Sequence, residues 1–352
     1  MADSQMKRLT VRRLMVRCAA SSLSLPLSLV LVLPASAQFV GGGGGGAGGD
    51  VAKFMKELRQ FPAAHLASPT HAGMLGAAVA GKRIVAVGDH GTVLLSDDNG
   101  KTWRQARDVP TRVMLTSVCF VDDKRGWAVG HWGVVLHSED AGETWKLQRQ
   151  DISVDQPLFS VYFMDPSNGL AVGLWSLALR TSDGGASWTA VKIPAPPGAD
   201  KTGPNLYQVF PGQCGASLFI AAELGVVYRS DDRGQTWNMM LTGNRGSLWT
   251  GLCLRDGSLL VAGLNGKMLR SADGGKTWTP LDSGVTGSIT DLAQGPDGAV
   301  IAVGLEGVVV SSKDGVSFKA DPRSDRASLT AVLVTAQGSP LLFSKDGVVE
   351  SN

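Results

Sequence analysis

Ser96-Asp97-Asp98-Asn99-Gly100-Lys101-Thr102-Trp103 decides the architecture, because the same Ser-x-Asp-x-Gly-x-Thr-Trp tract returns down the chain near a fixed period. Further copies run Ser138 to Trp145, Thr181 to Trp188, Ser230 to Trp237 and Ser271 to Trp278, and a decayed copy spans Ser311 to Phe318 with Asp314 one place late. A second landmark, a short V-G-x-x-G corner between two apolar runs, precedes each copy. The corners are Gly88 to Gly91, Gly130 to Gly133, Gly173 to Ser176, Ala222 to Gly225, Gly263 to Gly266, Gly304 to Gly307 and Ser344 to Gly347. Seven units about 40 to 49 residues apart have the period of four short strands with their turns. The expected fold is all-β, a seven-bladed β-propeller over residues 72–352.

One unit shows how the residues specify it. In the second, Leu115 to Val121, Gly126 to Gly130, Gly133 to His137 and Thr144 to Gln148 read as four antiparallel strands, being apolar and β-branched with Gly or Asp at the corners. The Ser-x-Asp tract falls between the third and fourth strands. There its Ser and Asp side chains bond the turn backbone, Gly permits a positive φ, and Trp anchors the turn in the core. Asp98, Trp103, Asp140, Trp145, Asp183, Trp188, Asp232, Trp237, Asp273 and Trp278 are therefore structural. The spacing lacks the alternating oxygen ligands and terminal Glu of a calcium loop.

Before the repeats, residues 1–37 read as an export signal. Lys7, Arg8, Arg12, Arg13 and Arg17 supply its basic region, Leu23 to Leu33 its apolar run and Ala35-Ser36-Ala37 its cleavage site. Periplasmic or secreted placement follows as an expectation. Loss of those five cations and Asp3 carries the formal net charge from +2 to −2, which leaves no polycation for nucleic acid. Residues 38–71 hold a Gly-rich tether, Gly41 to Gly49, and an N-terminal segment with two competing readings. Asp50 to Phe61 has helical apolar spacing, whereas a strand within Ala52 to Thr70 would supply the fourth strand that the seventh unit lacks. Of the four cysteines, Cys18 falls in the export segment, and the remaining Cys119, Cys214 and Cys253 are scattered and odd in number, so they read as small apolar residues rather than a disulfide framework.

The tracts resemble Asp boxes, also called bacterial neuraminidase repeats. GWAVGHWGVVLHSEDAGETW, Gly126 to Trp145, is similar to the repeat of the photosystem II stability/assembly factor family, and the similarity covers roughly residues 72 to 352. The resemblance implies a non-enzymatic scaffold that binds a membrane-protein complex or its assembly intermediate. Asp boxes also occur in sialidases and sortilin-like receptors, so a carbohydrate-binding or hydrolysing protein and an accessory subunit of an envelope transport system stand as alternatives. A sialidase needs an arginine cluster, a Tyr with a partnering Glu, and an Asp acid. Tyr162 and Tyr207 fall in first strands near the axis, Tyr228 in a third strand, and Glu223 and Glu306 in corners of different blades. His65, His71, His90, His131 and His137 lack zinc spacing, and no metal or cofactor is expected.

The corners and the blade-to-blade links share one face in this strand order. The corners bring His90, His131, Trp132, Leu174, Trp175, Leu224, Leu264 and Leu305 to that face, and the links bring Arg107, Arg112, Arg149, Arg245, Arg323 and Arg326. Trp and Arg carry much of the energy at protein interfaces. Trp132, Trp175, Trp249, His131, Arg112, Arg149, Arg245 and Arg326 are the expected partner-binding residues, on a monomer that docks to an envelope protein, with peripheral membrane association left open.

Overall fold

The computed structural model describes residues 61–215 and 217–349. The export segment, the tether and all but Phe61 of the helix at 50–61 lie outside the described residues. The repeats form seven antiparallel sheets, six of four strands and one of three, each in simple sequence order. Blade 1 comprises Met74–Ala80, Arg83–Gly88, Val93–Ser96 and Arg104–Gln105, and blade 2 Leu115–Phe120, Gly126–Gly130, Val135–Ser138 and Lys146–Arg149. Blades 3 to 7 open on Leu158–Phe163, Leu206–Pro211, Leu248–Cys253, Ile289–Gln294 and Leu329–Val334. Second strands such as Gly126–Gly130 and Leu259–Gly263 are buried at every residue, because a blade lies against each of their faces. They accordingly read as unbroken apolar runs rather than alternating ones.

Two local devices set these boundaries. At the 2–3 corner, Thr92 N–H donates to Asp89 O, and His90 and Gly91 both have positive φ, 55° and 71°. That is the two-residue hairpin turn whose twist matches the strands it joins. The first turn position is filled by His90, Trp132, Trp175, Leu224, Asn265 and Glu306 in blades 1 to 6, all left-handed. Because Gly133 belongs to this turn, the third strand of blade 2 starts at Val135, two residues later than the sequence pattern suggested.

The Asp box explains the other boundary. Ser96 Oγ donates to Asp98 and accepts from Gly100 N–H, while Asp98 accepts from Thr102 N–H and Thr102 Oγ1 at 2.9 and 2.6 Å. Trp103 Nε1 then donates to Gly100 O at 3.0 Å. The same bonds in blade 2 hold Thr144 in the turn, so its fourth strand begins at Lys146 rather than Thr144. The decayed sixth box starts at Ser312, not Ser311. Ser312 Oγ donates to Asp314 and accepts from Gly315 N–H, so Asp314 is in place and one residue is missing before the glycine.

Blades are joined along the axis by the first strands. Ser117, Ser160, Gln208 and Asp291 stand at one position, and each accepts a backbone N–H from the next first strand, of Val161, Val209, Gly251 and Val332 respectively. Blade 1 has Gly76 there, and a side chain would strike Ser117 Cα. Its seam with blade 2 is held at the periphery instead. Arg104 donates to both Glu143 carboxylate oxygens, and Arg83 reaches Glu143 and Asp97.

Ring closure follows from the chain ends. Thr330 Oγ1 donates to Met74 O, and Met74 packs with Ala331 and Phe343. A side chain at Gly347 would meet Thr70 O as one at Gly91 would meet Thr111 O, so Thr70 occupies the place of a blade link. The expected closing strand is not found in the described part of its range. Residues 61–70 add no strand to Leu329–Val334, Pro340–Ser344 and Gly347–Val349, and Ala63 N–H instead donates to Val109 O beside blade 1. The remainder of that range, residues 52–60, lies outside the described residues.

Candidate partner-binding face

Antiparallel order puts the 2–3 corners and the 4–1 links at one end of the ring and the Asp boxes at the other. At the corner end, neighbouring elements treat the two expected tryptophans differently. Asp151 N–H donates to Trp132 O at 2.7 Å, and Asp155 accepts Trp132 N–H at 2.8 Å while its other oxygen faces His131 Nδ1 at 3.1 Å. The 151–155 link thus ties itself to the corner, and Trp132 is half-buried against the core shared by blades 1 and 2. Trp175 has no such cover. Its N–H donates to Asn205 Oδ1, but its side chain is 45 % exposed, and Leu224 in the next corner is 37 % exposed.

The arginines also divide. Arg112 donates to Pro62 O and lies over the Phe61 ring at 5.4 Å, so it anchors the N-terminal segment. Arg149 donates to Gly133 O at 2.6 Å, and burial lowers its pKa, with Asp151 partly offsetting. Arg323 is paired with Asp325, and Arg326 with Glu306 at 3.1 Å. Arg245 alone of the four expected arginines is exposed and without an ion pair among the described residues.

Trp249 belongs to a group that the sequence pattern did not single out. It is the second residue of the first strand of blade 5. Tyr207 and Phe159 hold the same position in blades 4 and 3. Phe159 and Tyr207 stack with ring centroids 5.9 Å apart, and Tyr207 and Trp249 tilt at 6.4 Å. A bulge in each first strand places this position at the corner end of the axis. Elsewhere in the ring it holds Leu75, Thr116, Thr290 and Thr330, and each threonine hydroxyl bonds the neighbouring blade's backbone. The signal was present in Leu158-Phe159, Leu206-Tyr207 and Leu248-Trp249, where an aromatic follows the Leu that opens each first strand.

For catalysis the geometry offers little. Tyr207 is raised in pKa by burial, with Glu223's charge adding to it, so a tyrosine and a glutamate do approach each other. Yet Glu223 Oε2 accepts Asn205 N–H, and none of the seven first strands carries an arginine or lysine to clamp a sugar carboxylate. Tyr228 is buried in the third strand of blade 4 and donates to Pro194 O. Glu306 is turned to Arg326. Cys119 is a free thiol in the first strand of blade 2, and burial pushes it up to about 12. No group of three or more metal-ligating side chains occurs among the described residues.

The family model described as photosynthesis system II assembly factor YCF48 matches residues 105–260 and 154–315, together more than half of the chain. Two solved structures share the fold at a TM-score of 0.65. One is described as YCF48 bound to D1 peptide, 20 % identical, over 81 % of this chain and 94 % of that one. The other is YCF48 from Cyanidioschyzon merolae, 19 % identical, over 81 % of this chain and 96 % of that one. None of the curated proteins matches.

Proposed function

Since the chain belongs to the photosynthesis system II assembly factor YCF48 family, we propose that it is an exported binding scaffold for a membrane-protein complex or one of its assembly intermediates. The observation that carries this reading is the unequal finish of the two ring ends. The Asp-box end spends its polar groups on its own turns, whereas the corner end leaves Trp175, Leu224 and Arg245 open beside an aromatic axial mouth. Large apolar groups and arginine on one rigid face are the makings of a protein-recognition surface. The related YCF48 structure that holds a D1 peptide supports a peptide segment as the element recognised. Export rests on Lys7 to Ala37 and predicts a mature chain beginning at Gln38.

Among the expected residues the proposal keeps Trp175, Trp249 and Arg245 as direct contacts. Trp132, His131, Arg112, Arg149 and Arg326 it assigns to supporting the face, from their bonds to links and backbone. The test is crosslinking of the mature protein in its native envelope, comparing wild type with Trp132→Ala/Trp175→Ala and identifying partners by mass spectrometry. A specific membrane protein captured by wild type and lost in the folded variant supports the reading. No reproducible capture, together with turnover or binding of a sialoside panel, overturns it.

A further inference from the structure

The corner end of blades 3 to 5 combines two features. Phe159, Tyr207 and Trp249 form a continuous aromatic arc around one side of the axis, with Trp175 standing beside it, since the Leu174–Ser176 corner packs on the first strand of blade 4. The opposite side of the axis has threonines at the same strand position, already bonded within the ring. An aromatic arc in blades 3 to 5 is therefore not something ring closure requires.

Charge is unbalanced on the same side. The links and corners between residues 191 and 267 carry Lys192, Lys201, Arg245 and Lys267 against Asp200 and Glu223, and Glu223 already accepts Asn205 N–H. These four cations are exposed and form no ion pair among the described residues. Around blades 6 and 7 the cations are instead neutralised locally, Arg323 by Asp325, Arg326 by Glu306 and Lys345 by Asp346. The inner wall adds no cation, and its one carboxylate, Asp291, is taken by backbone amides.

From this juxtaposition we infer that the axial mouth at blades 3 to 5 binds an extended peptide segment in which aromatic or aliphatic side chains alternate with carboxylates. The apolar side chains seat on Phe159, Tyr207, Trp249 and Trp175, and the carboxylates meet Arg245 and Lys201 at the rim. Alternation suits the geometry, because an extended chain sends successive side chains to opposite sides, one toward the arc and the next toward the rim. An anionic sugar would lack the apolar residues that the arc is built to cover, and a basic segment would be repelled by the rim. This inference rests on the scaffold reading and specifies the chemistry of its client.

The test is fluorescence anisotropy with labelled twelve-residue peptides and the mature protein. The peptides are one of alternating Phe and Glu, one with Phe replaced by Ser and one with Glu replaced by Lys; an acidic oligosaccharide is the fourth probe. The Phe/Glu peptide is expected to bind at least ten-fold tighter than the other three, to weaken as salt is raised, and to lose ten-fold or more in both Trp175→Ala and Arg245→Glu. Both positions are exposed, so thermal melting confirms that the variants fold. Equal binding of the Lys or Ser peptide, preference for the oligosaccharide, or a Phe/Glu affinity unchanged by both substitutions overturns the inference. If peptides fail while wild type captures one membrane protein in the envelope and both variants lose it, only this inference falls; if wild type captures none, the scaffold reading falls with it.

Discussion

Asp291 Oδ2 accepts the backbone N–H of Val332 at 2.9 Å across the seam between blades 6 and 7. Its other oxygen accepts Leu292 N–H. Serine and glutamine hold the equivalent seams of blades 2, 3 and 4, so blade 6 alone closes its seam with a charge. Burial pushes Asp291 up to about 6 despite the amides that favour its charged form.

A pH dependence follows from that relation. The folded pKa lies above the ordinary carboxylate value near 3.8, so the folded state binds the proton more tightly than the unfolded one. This contribution to stability is complete below about 4 and is lost as pH rises through about 6. Wild type should lose on the order of 2 kcal/mol relative to Asp291→Asn between pH 4 and pH 7. Urea titrations at half-unit pH steps measure it, and parallel curves for the two proteins would refute the assignment.

The Asp boxes work in the opposite sense. The Thr102 hydroxyl and then Thr102 N–H hold Asp98 at about 2, and Ser187 does the same for Asp183. A depressed folded pKa gives stability that is present above about 3.8 and lost as pH falls through about 2. The midpoint of urea unfolding should therefore drop steeply below pH 4, and the drop should be shallower in Asp98→Asn, which cannot gain the proton. An identical acid limb in the two proteins would show that the box carboxylate contributes nothing there.

Trp127 should be among the most costly single losses. It is 1 % exposed, stacks on Phe163 of blade 3 at 3.5 Å, and donates from Nε1 to Gly184 O in the next Asp box. One side chain thus fills the seam and satisfies a turn carbonyl. Trp127→Ala is expected to cost about 3–5 kcal/mol and to lower Tm by on the order of 10 °C, as read by calorimetry. A shift under 2 °C would contradict the packing described.

The corners predict a stabilising change. Glu306 has φ 58° in the first turn position of blade 6, and its partner Arg326 is largely exposed. A non-glycine residue in that region costs about 1–2 kcal/mol, whereas an exposed ion pair contributes about 0–1 kcal/mol. Glu306→Gly should leave stability unchanged or raise it by about 0.5 kcal/mol after the entropy cost of glycine. Gly307→Ala, by contrast, should destabilise, since its Cβ would press on Arg323 O and Arg326 Cα. Equal losses in both variants would refute the turn assignment.

The blade count and the box chemistry were legible because each is local. Ser96, Asp98, Gly100, Thr102 and Trp103 bond one another within eight residues, and every corner is a two-residue turn. What a link covers is not local. Trp132 and Trp175 hold the same turn position and each gives its N–H to a link side chain, Asp155 or Asn205, but only on Trp132 does the link also close back, through Asp151 N–H to Trp132 O. Nor is what a link arginine meets: the fold sets Pro62 O beside Arg112 and Glu306 beside Arg326. The axial arc needed the bulge as well as the repeat, since an unbulged register would turn Phe159, Tyr207 and Trp249 to the opposite side of the strand.

The central claim is that the corner end of the ring, and not the Asp-box end, meets the client. Photo-crosslinking in the native envelope from a reactive residue at position 175, with position 316 on the Asp-box end as its counterpart, tests it most directly. The account predicts one membrane protein, identified by mass spectrometry, crosslinked from 175 and absent from 316. Capture of that protein from 316 alone, or from neither position, would contradict it.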